Sequence, residues 1–154
     1  MNFTIISPFP PYRGGISKET EVLCASLISY NHNVKIINFK RLYPGIFFPG
    51  KTQYLEDYNS SNLVHNTRVI DTISPLSWNR AYNKIISEKT DCIIFRYWHP
   101  ILIPSFYYLL KKIKKHNKSQ KIYCICDNVF PHEASTFFDR LLVKGILKKF
   151  DGIF

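Results

Sequence analysis

A doubly wound α/β fold, with a mostly parallel sheet and helices on both faces, is the class this sequence predicts. Three observations carry that expectation. Short apolar runs recur along the chain and alternate with segments of helical period. Those runs are largely apolar rather than strictly alternating, the pattern of strands buried on both faces. The 154 residues, 45% of them hydrophobic, suffice for one domain core and exclude a disordered chain.

The first run, NFTIIS, is a strand. The segment PFPPYRGG follows, then a helix with Ser17 as its expected N-cap and Glu19 and Glu21 in the first turn, where acids suit the helix dipole. The helix reaches about Tyr30 and ends in NHN, where Asn31 tolerates the left-handed conformation. VKIINF (34–39) is a second strand. Residues 40–62 hold Pro, Gly, Asn and Ser with little periodicity and read as a long excursion, a kind of segment that often carries function. TRVIDTI (67–73) is a third strand, followed by a helix over 74–89 with Ser74 as cap and Pro75 at its first position.

DCIIFRYW (91–98) is a buried strand. In the helix that follows, Leu102, Phe106, Leu109, Leu110 and Ile113 fall on one stripe. QKIYCICDN (120–128) is the next strand, residues 135–150 form a last amphipathic helix, and DGIF begins another strand. This order predicts a Rossmann-like sheet. Ligands of such sheets bind at the carboxyl ends of the strands, so 8–16, 40–62, 97–100 and 127–133 are the segments to read for function.

Lys and Arg number 21 against 11 Asp and Glu, a net charge of +10. The excess favours anionic partners: nucleic acid, phosphates or acidic lipid surfaces. No zinc-finger spacing, RNP motif or helix-turn-helix signal supports nucleic acid, which is not expected as a partner. Cys24, Cys92, Cys124 and Cys126 lack the paired spacing of a metal site and read as small buried hydrophobes. No apolar run approaches the roughly 20 residues of a membrane helix, and the N-terminus lacks the basic region of a signal peptide. The expected location is the cytoplasm.

Gly14 and Gly15 stand between the first strand and the first helix. Glycine admits close approach of a ligand to backbone, and a helix N-terminus offers free N–H groups to an anion. The pair matches neither the dinucleotide-binding fingerprint nor the P-loop, which disfavours an oxidoreductase. A plain flexible turn is the alternative.

PFPPYRGGIS together with SLISYNHNVKIINF resembles the opening of family 4 glycosyltransferases of the GT-B type. RLYPGIFFPGKTQ, SPLSWNRAYNKI, FRYWHP and DNVFPHE are similar to one branch of that family, in the same order. The resemblance implies two Rossmann-like domains facing a cleft, of which residues 1–154 are the N-terminal, acceptor-side one, incomplete at its C-terminal end and without the donor-binding domain. It implies a hexosyltransferase-type enzyme of cell-surface polysaccharide synthesis. A sugar would pass from a nucleotide-sugar donor to a glycan or lipid-linked acceptor, with no cofactor and no metal. This chain alone is expected to be inactive. Expected partners are the donor, the acceptor and a separate C-terminal domain chain. The alternatives are a non-enzymatic interaction half of a two-chain assembly and a gene remnant.

The resemblance also implies residue roles. Gly14, Gly15 and Ile16 would meet the donor diphosphate by backbone N–H contact, with Asn128 and Glu133 at the cleft and Arg13 adding charge. Asp127, His132 and His99 are the candidate catalytic residues. Many relatives carry histidine where Asp127 stands, so an added negative charge beside a phosphate is expected there. Trp98 would stack on the acceptor, and Arg41, Lys51 and Gln53 would contact it; core packing and a self-packed loop are the plainer alternatives. Arg140, Lys144 and Lys148 form a stripe at four-residue spacing, read as a peripheral contact with an anionic surface on the inner face of the membrane.

Overall fold

The structure is a computed structural model and describes residues 1–43, 54–55, 64–128 and 137–154, the side chains of 137–140 excepted. Its elements in chain order are β1 (Asn2–Ile6), α1 (Gly15–Ser29), β2 (Asn33–Arg41), β3 (His65–Asp71), α2 (Pro75–Ser87), β4 (Cys92–Tyr97), α3 (Ile103–His116), β5 (Lys121–Cys126), α4 (Phe137–Leu147) and β6 (Gly152–Ile153). The six strands form one sheet in the order β3-β2-β1-β4-β5-β6, and every pairing is parallel. The chain builds outward from β1 to β3, crosses back, and builds outward again from β4. Strand order reverses between β1 and β4, where a doubly wound sheet opens a crevice at its carboxyl edge. The Rossmann-like class expected from the sequence is what the chain adopts.

Each strand feeds both faces. Ile5 and Ile36 pack toward Cys24, Leu23 and Leu27 of α1. Their neighbours Ile6 and Ile37 belong to the larger core that includes Ala81 and Ile85 of α2, Phe106 and Leu109 of α3, and Val143 and Ile146 of α4. One helix thus covers the first face and three the second, as right-handed crossovers from this strand order require. Each fully buried isoleucine contributes roughly 1.5–3 kcal/mol of transfer free energy.

The stripe expected on the third helical segment, Leu102, Phe106, Leu109, Leu110 and Ile113, is buried throughout. Its first turn is separate, however: Pro100–Leu102 form a 3-10 turn before α3 begins. Pro104, with no N–H to donate, cannot extend the α-helical bonding back through that turn.

Two boundaries move. Ser17 is not the cap of α1: Gly14 is, at φ 128°, and Ser17 lies buried inside the first turn. At the other end, Asn31 takes φ 59°, and the His32 and Asn31 N–H groups bond the Leu27 and Ile28 carbonyls at 3.1 and 2.9 Å. This is a glycine-type C-cap made with asparagine, as the sequence suggests. β3 begins two residues earlier than its apolar run, because pairing with β2 starts at Lys35 opposite His65. Ser74 does occupy the cap position of α2, but its hydroxyl makes no capping bond. Ser77 serves that turn, accepting from the Asp71 N–H at 2.9 Å and donating to the Ser74 carbonyl at 2.7 Å.

Candidate functional site

The segments expected to carry function that lie among the described residues emerge together at the carboxyl edge of the sheet. β1, β4 and β5 are neighbours there, so the glycine pair, His99 and Asp127 all lie around the β1/β4 crevice.

The loop leaving β1 is rich in proline and poor in N–H donors, so its carbonyls must find partners elsewhere. They do. Pro8 accepts from Ser7 Oγ at 2.9 Å, and Phe9 from Asn38 Nδ2 at 3.0 Å. Pro10 accepts from Asn66 Nδ2 at 3.0 Å, and Pro11 from the Leu55 N–H at 2.8 Å. The Pro10–Pro11 peptide is cis. Tyr12 is buried and packs on Tyr54, ring centroids 5.0 Å apart, while the Arg68 guanidinium sits 5.3 and 5.0 Å from those two rings. Burial raises the Tyr12 hydroxyl well above its ordinary value, so it stays protonated.

This braced loop ends in three exposed residues, Arg13, Gly14 and Gly15. Only glycine accepts the φ of 128° at Gly14 without strain. A Cβ added at either glycine would meet no atom of the described residues within 4 Å, so both face open space among them. The first bond of α1 runs from the Lys18 N–H to the Gly14 carbonyl at 3.2 Å. The N–H groups of Gly15, Ile16 and Ser17 precede it and have no acceptor within the helix. Ser17 Oγ, buried in the same turn, has no hydrogen-bond partner among the described residues either.

Beneath the turn lies Arg96, the last but one residue of β4, with its side chain only 5% exposed. Its Nε donates to Asp127 Oδ2 at 2.8 Å and a terminal nitrogen to Oδ1 at 2.5 Å. That nitrogen also pairs with Glu19, and the other donates to Thr20 Oγ1 at 3.2 Å and to the Ile16 carbonyl at 3.3 Å. Thr20 Oγ1 in turn bonds Ser7 Oγ at 2.7 Å. The hydrogen bond to Asp127 raises the guanidinium further above its ordinary value, so it is always charged. One buried cation therefore fastens the first turn of α1 to the ends of β1, β4 and β5. It also answers the charge expected at Asp127, which faces the guanidinium rather than standing uncompensated at the crevice.

His99 is half-buried just past β4, and its Nδ1 accepts from the Ile101 N–H at 3.1 Å. That bond places the proton of the neutral ring on Nε2. Trp98 is in the core. It is 7% exposed, meets Phe39 edge-on at 6.0 Å between centroids, and donates its Nε1–H to Tyr43 Oη at 2.8 Å. The stacking expected of Trp98 is therefore replaced by packing: its ring has no broad face to offer a sugar. Burial also pushes the Tyr43 hydroxyl up. Arg41, at the end of β2, is held by Asp71 at the end of β3, Nε to Oδ1 at 3.0 Å and a terminal nitrogen to Oδ2 at 2.5 Å. Its charge is largely answered within the chain.

Asn128 is exposed beyond β5. Lys51, Gln53, His132 and Glu133 lie outside the described residues, as does the side chain of Arg140. Lys144 and Lys148 are exposed on α4. Cys24, Cys92 and Cys124 are buried and Cys126 half-buried, all four as free thiols. Burial pushes Cys24 and Cys124 up to about 12, the inert thiols expected from the sequence.

Arg96 is the site residue that reading by segments misses. Its signal is nonetheless present: one arginine inside the apolar strand CIIFRY cannot be buried without a counter-charge. Asp127, one residue past the neighbouring strand, supplies it.

The chain matches no model of a known protein family, and a comparison with curated proteins finds no match either. Among the described residues no helix is long and apolar enough to cross a membrane.

Proposed function

We propose that the chain is the acceptor-side domain of a glycosyltransferase, which moves a sugar from a nucleotide-sugar donor to a hydroxyl of a glycan or lipid-linked acceptor. One observation carries the reading. The first turn of α1 presents unbonded N–H groups at the strand-order switch, behind two glycines with open space in front of them. A diphosphate fits that arrangement. Its negative charge grows as the sugar leaves, and fixed N–H dipoles stabilise it without reorganising. Arg13 and the net charge of +10 act in the same direction.

The other residues take supporting parts. Asp127 is a positioning residue in this reading, because its carboxylate holds Arg96 and Arg96 holds the turn. His99, with Nδ1 already accepting, presents Nε2–H as a hydrogen-bond donor rather than a base. Catalysis then rests on positioning and on charge stabilisation at the departing diphosphate. Acceptor contacts by Lys51 and Gln53 and roles for His132 and Glu133 remain part of the proposal.

The test is titration of the ¹⁵N-labelled chain with uridine diphosphate, read from amide chemical shifts. Saturable shifts centred on Gly15, Ile16 and Ser17 support the reading. Unmoved amides in that turn, with the nucleotide at millimolar concentration, overturn it.

A further inference from the structure

The second face of the molecule holds a feature that sugar transfer does not use. Between the start of α3 and the outer side of α4 runs an open groove of about 810 Å³. Pro100, Ile103 and Tyr107 line one wall, and Leu141, Leu142 and Ile146 the other. Tyr107, Leu141 and Leu142 are 45, 53 and 40% exposed, a concentration of apolar surface that water does not favour. Toward the C-terminal end of α3 the groove continues into a basic hollow of about 520 Å³ lined by Lys111, Lys114, Lys115 and Lys118. Tyr107 and Lys149 belong to both parts, the Lys149 ammonium lying 5.0 Å from the Tyr107 ring centre.

Among the described residues no acidic side chain lines either part. Lys114 is paired with Asp151 at 2.8 Å. Lys111, Lys115, Lys118 and Lys149 make no ion pair among the described residues. An apolar trough beside uncompensated lysines, with a tyrosine at their junction, matches an interface between acyl chains and anionic headgroups. A second copy of the chain fits poorly, because a symmetric contact sets the same lysines against one another. A soluble anion leaves the apolar walls wet.

We propose that the α3–α4 groove docks on an anionic lipid bilayer, with Leu141, Leu142 and Tyr107 entering the headgroup–acyl boundary and Lys111, Lys115, Lys118 and Lys149 reaching the headgroups. The surface is not the one expected from the α4 stripe. Lys144 and Lys148 do not line the groove. The proposal stands independently of the sugar-transfer reading, since it uses a different face and needs no nucleotide.

Vesicle flotation of the whole chain tests it, with phosphatidylcholine alone and with phosphatidylcholine mixed with phosphatidylglycerol. Binding to the mixed vesicles only is the expected result. Replacing Lys111, Lys115 and Lys118 together by Ala weakens partitioning about 100-fold at low ionic strength, at about a factor of five per lysine. Leu141→Ser with Leu142→Ser keeps low-salt binding but removes the part that survives high salt. Lys144→Ala with Lys148→Ala costs far less than the lysine triple, because neither side chain lines the groove. All of these positions are exposed, and circular dichroism confirms that each variant is folded. No binding to mixed vesicles, equal binding to neutral ones, or a loss from the Lys144 and Lys148 pair as large as from the lysine triple overturns the proposal. So does binding to an acidic amphipathic peptide without binding to vesicles.

Discussion

Arg96 and Asp127 form a two-bond ion pair, 2.8 and 2.5 Å, that joins the ends of two adjacent strands under the first turn of α1. The two partners are unequally buried. The arginine side chain is 5% exposed and the aspartate 19%. The cost of breaking the pair therefore depends on which half is removed.

Asp127→Ala leaves a guanidinium in the interior with Glu19 as its remaining counter-charge. It should destabilise the fold by about 2–3 kcal/mol. Arg96→Met leaves a carboxylate that water can reach, at a cost of about 1 kcal/mol. The double variant should resemble Arg96→Met alone. Urea unfolding of the parent and the three variants gives the coupling energy directly, and equal effects from the two single changes would refute this account of the pair.

The two glycines should part company in the same way. Gly14→Ala forces a side chain into φ 128° and should cost about 1–2 kcal/mol. Gly15→Ala meets open space at the first helical position and should leave stability within about 0.5 kcal/mol of the parent or improve it. Loss of nucleoside diphosphate binding in a fully stable Gly15→Ala protein, followed by calorimetry, is the expected mark of a ligand in that space.

Acid should destabilise the chain through Glu88. Hydrogen bonds from Lys35 and then Lys84 hold its carboxyl below the ordinary 4.5. A depressed carboxyl adds stability that is complete above the unfolded value and fades as pH falls through the folded one. At Asp151 burial acts upward, but Lys114 and the Ile122 N–H outweigh it, and the net shift is also downward. Melting temperature should therefore fall as pH drops below about 4.5, and Glu88→Gln should flatten that limb in scanning calorimetry.

The thiols should be unreactive in the folded chain. Cys24 and Cys124, raised to about 12, have almost no thiolate at mildly alkaline pH. Cys126, half-buried and raised less, should be the first to react with a disulfide reagent. Release of thionitrobenzoate should be slow until urea unfolds the protein, when all four thiols respond.

The architecture was legible because a parallel sheet writes itself as continuous apolar runs, and helices such as α3 as a stripe. What depends on a distant partner was not. β3 takes its start from β2, so its own run misplaces it by two residues. Ser17 carries a capping side chain, yet the backbone φ at Gly14 decides where α1 begins. Trp98 and Arg41 are residue types that suit a binding surface. Tyr43 and Asp71, far along the chain in each case, engage them internally. Arg96 was readable as a buried charge, but its partners were not, because they come from two distant segments, the first turns of α1 and the end of β5.

The four carbonyls between Pro8 and Pro11, each held by a different donor, bear on the heat and speed of binding. A loop fixed this way gives up its conformational entropy when the chain folds, not when a ligand arrives. An anion at Gly15 would meet an arm already in place and would associate without a preceding rearrangement. Hydrogen exchange at the Tyr12 and Leu55 amides, both bonded within that arm, should then be as slow in the free chain as in the bound one.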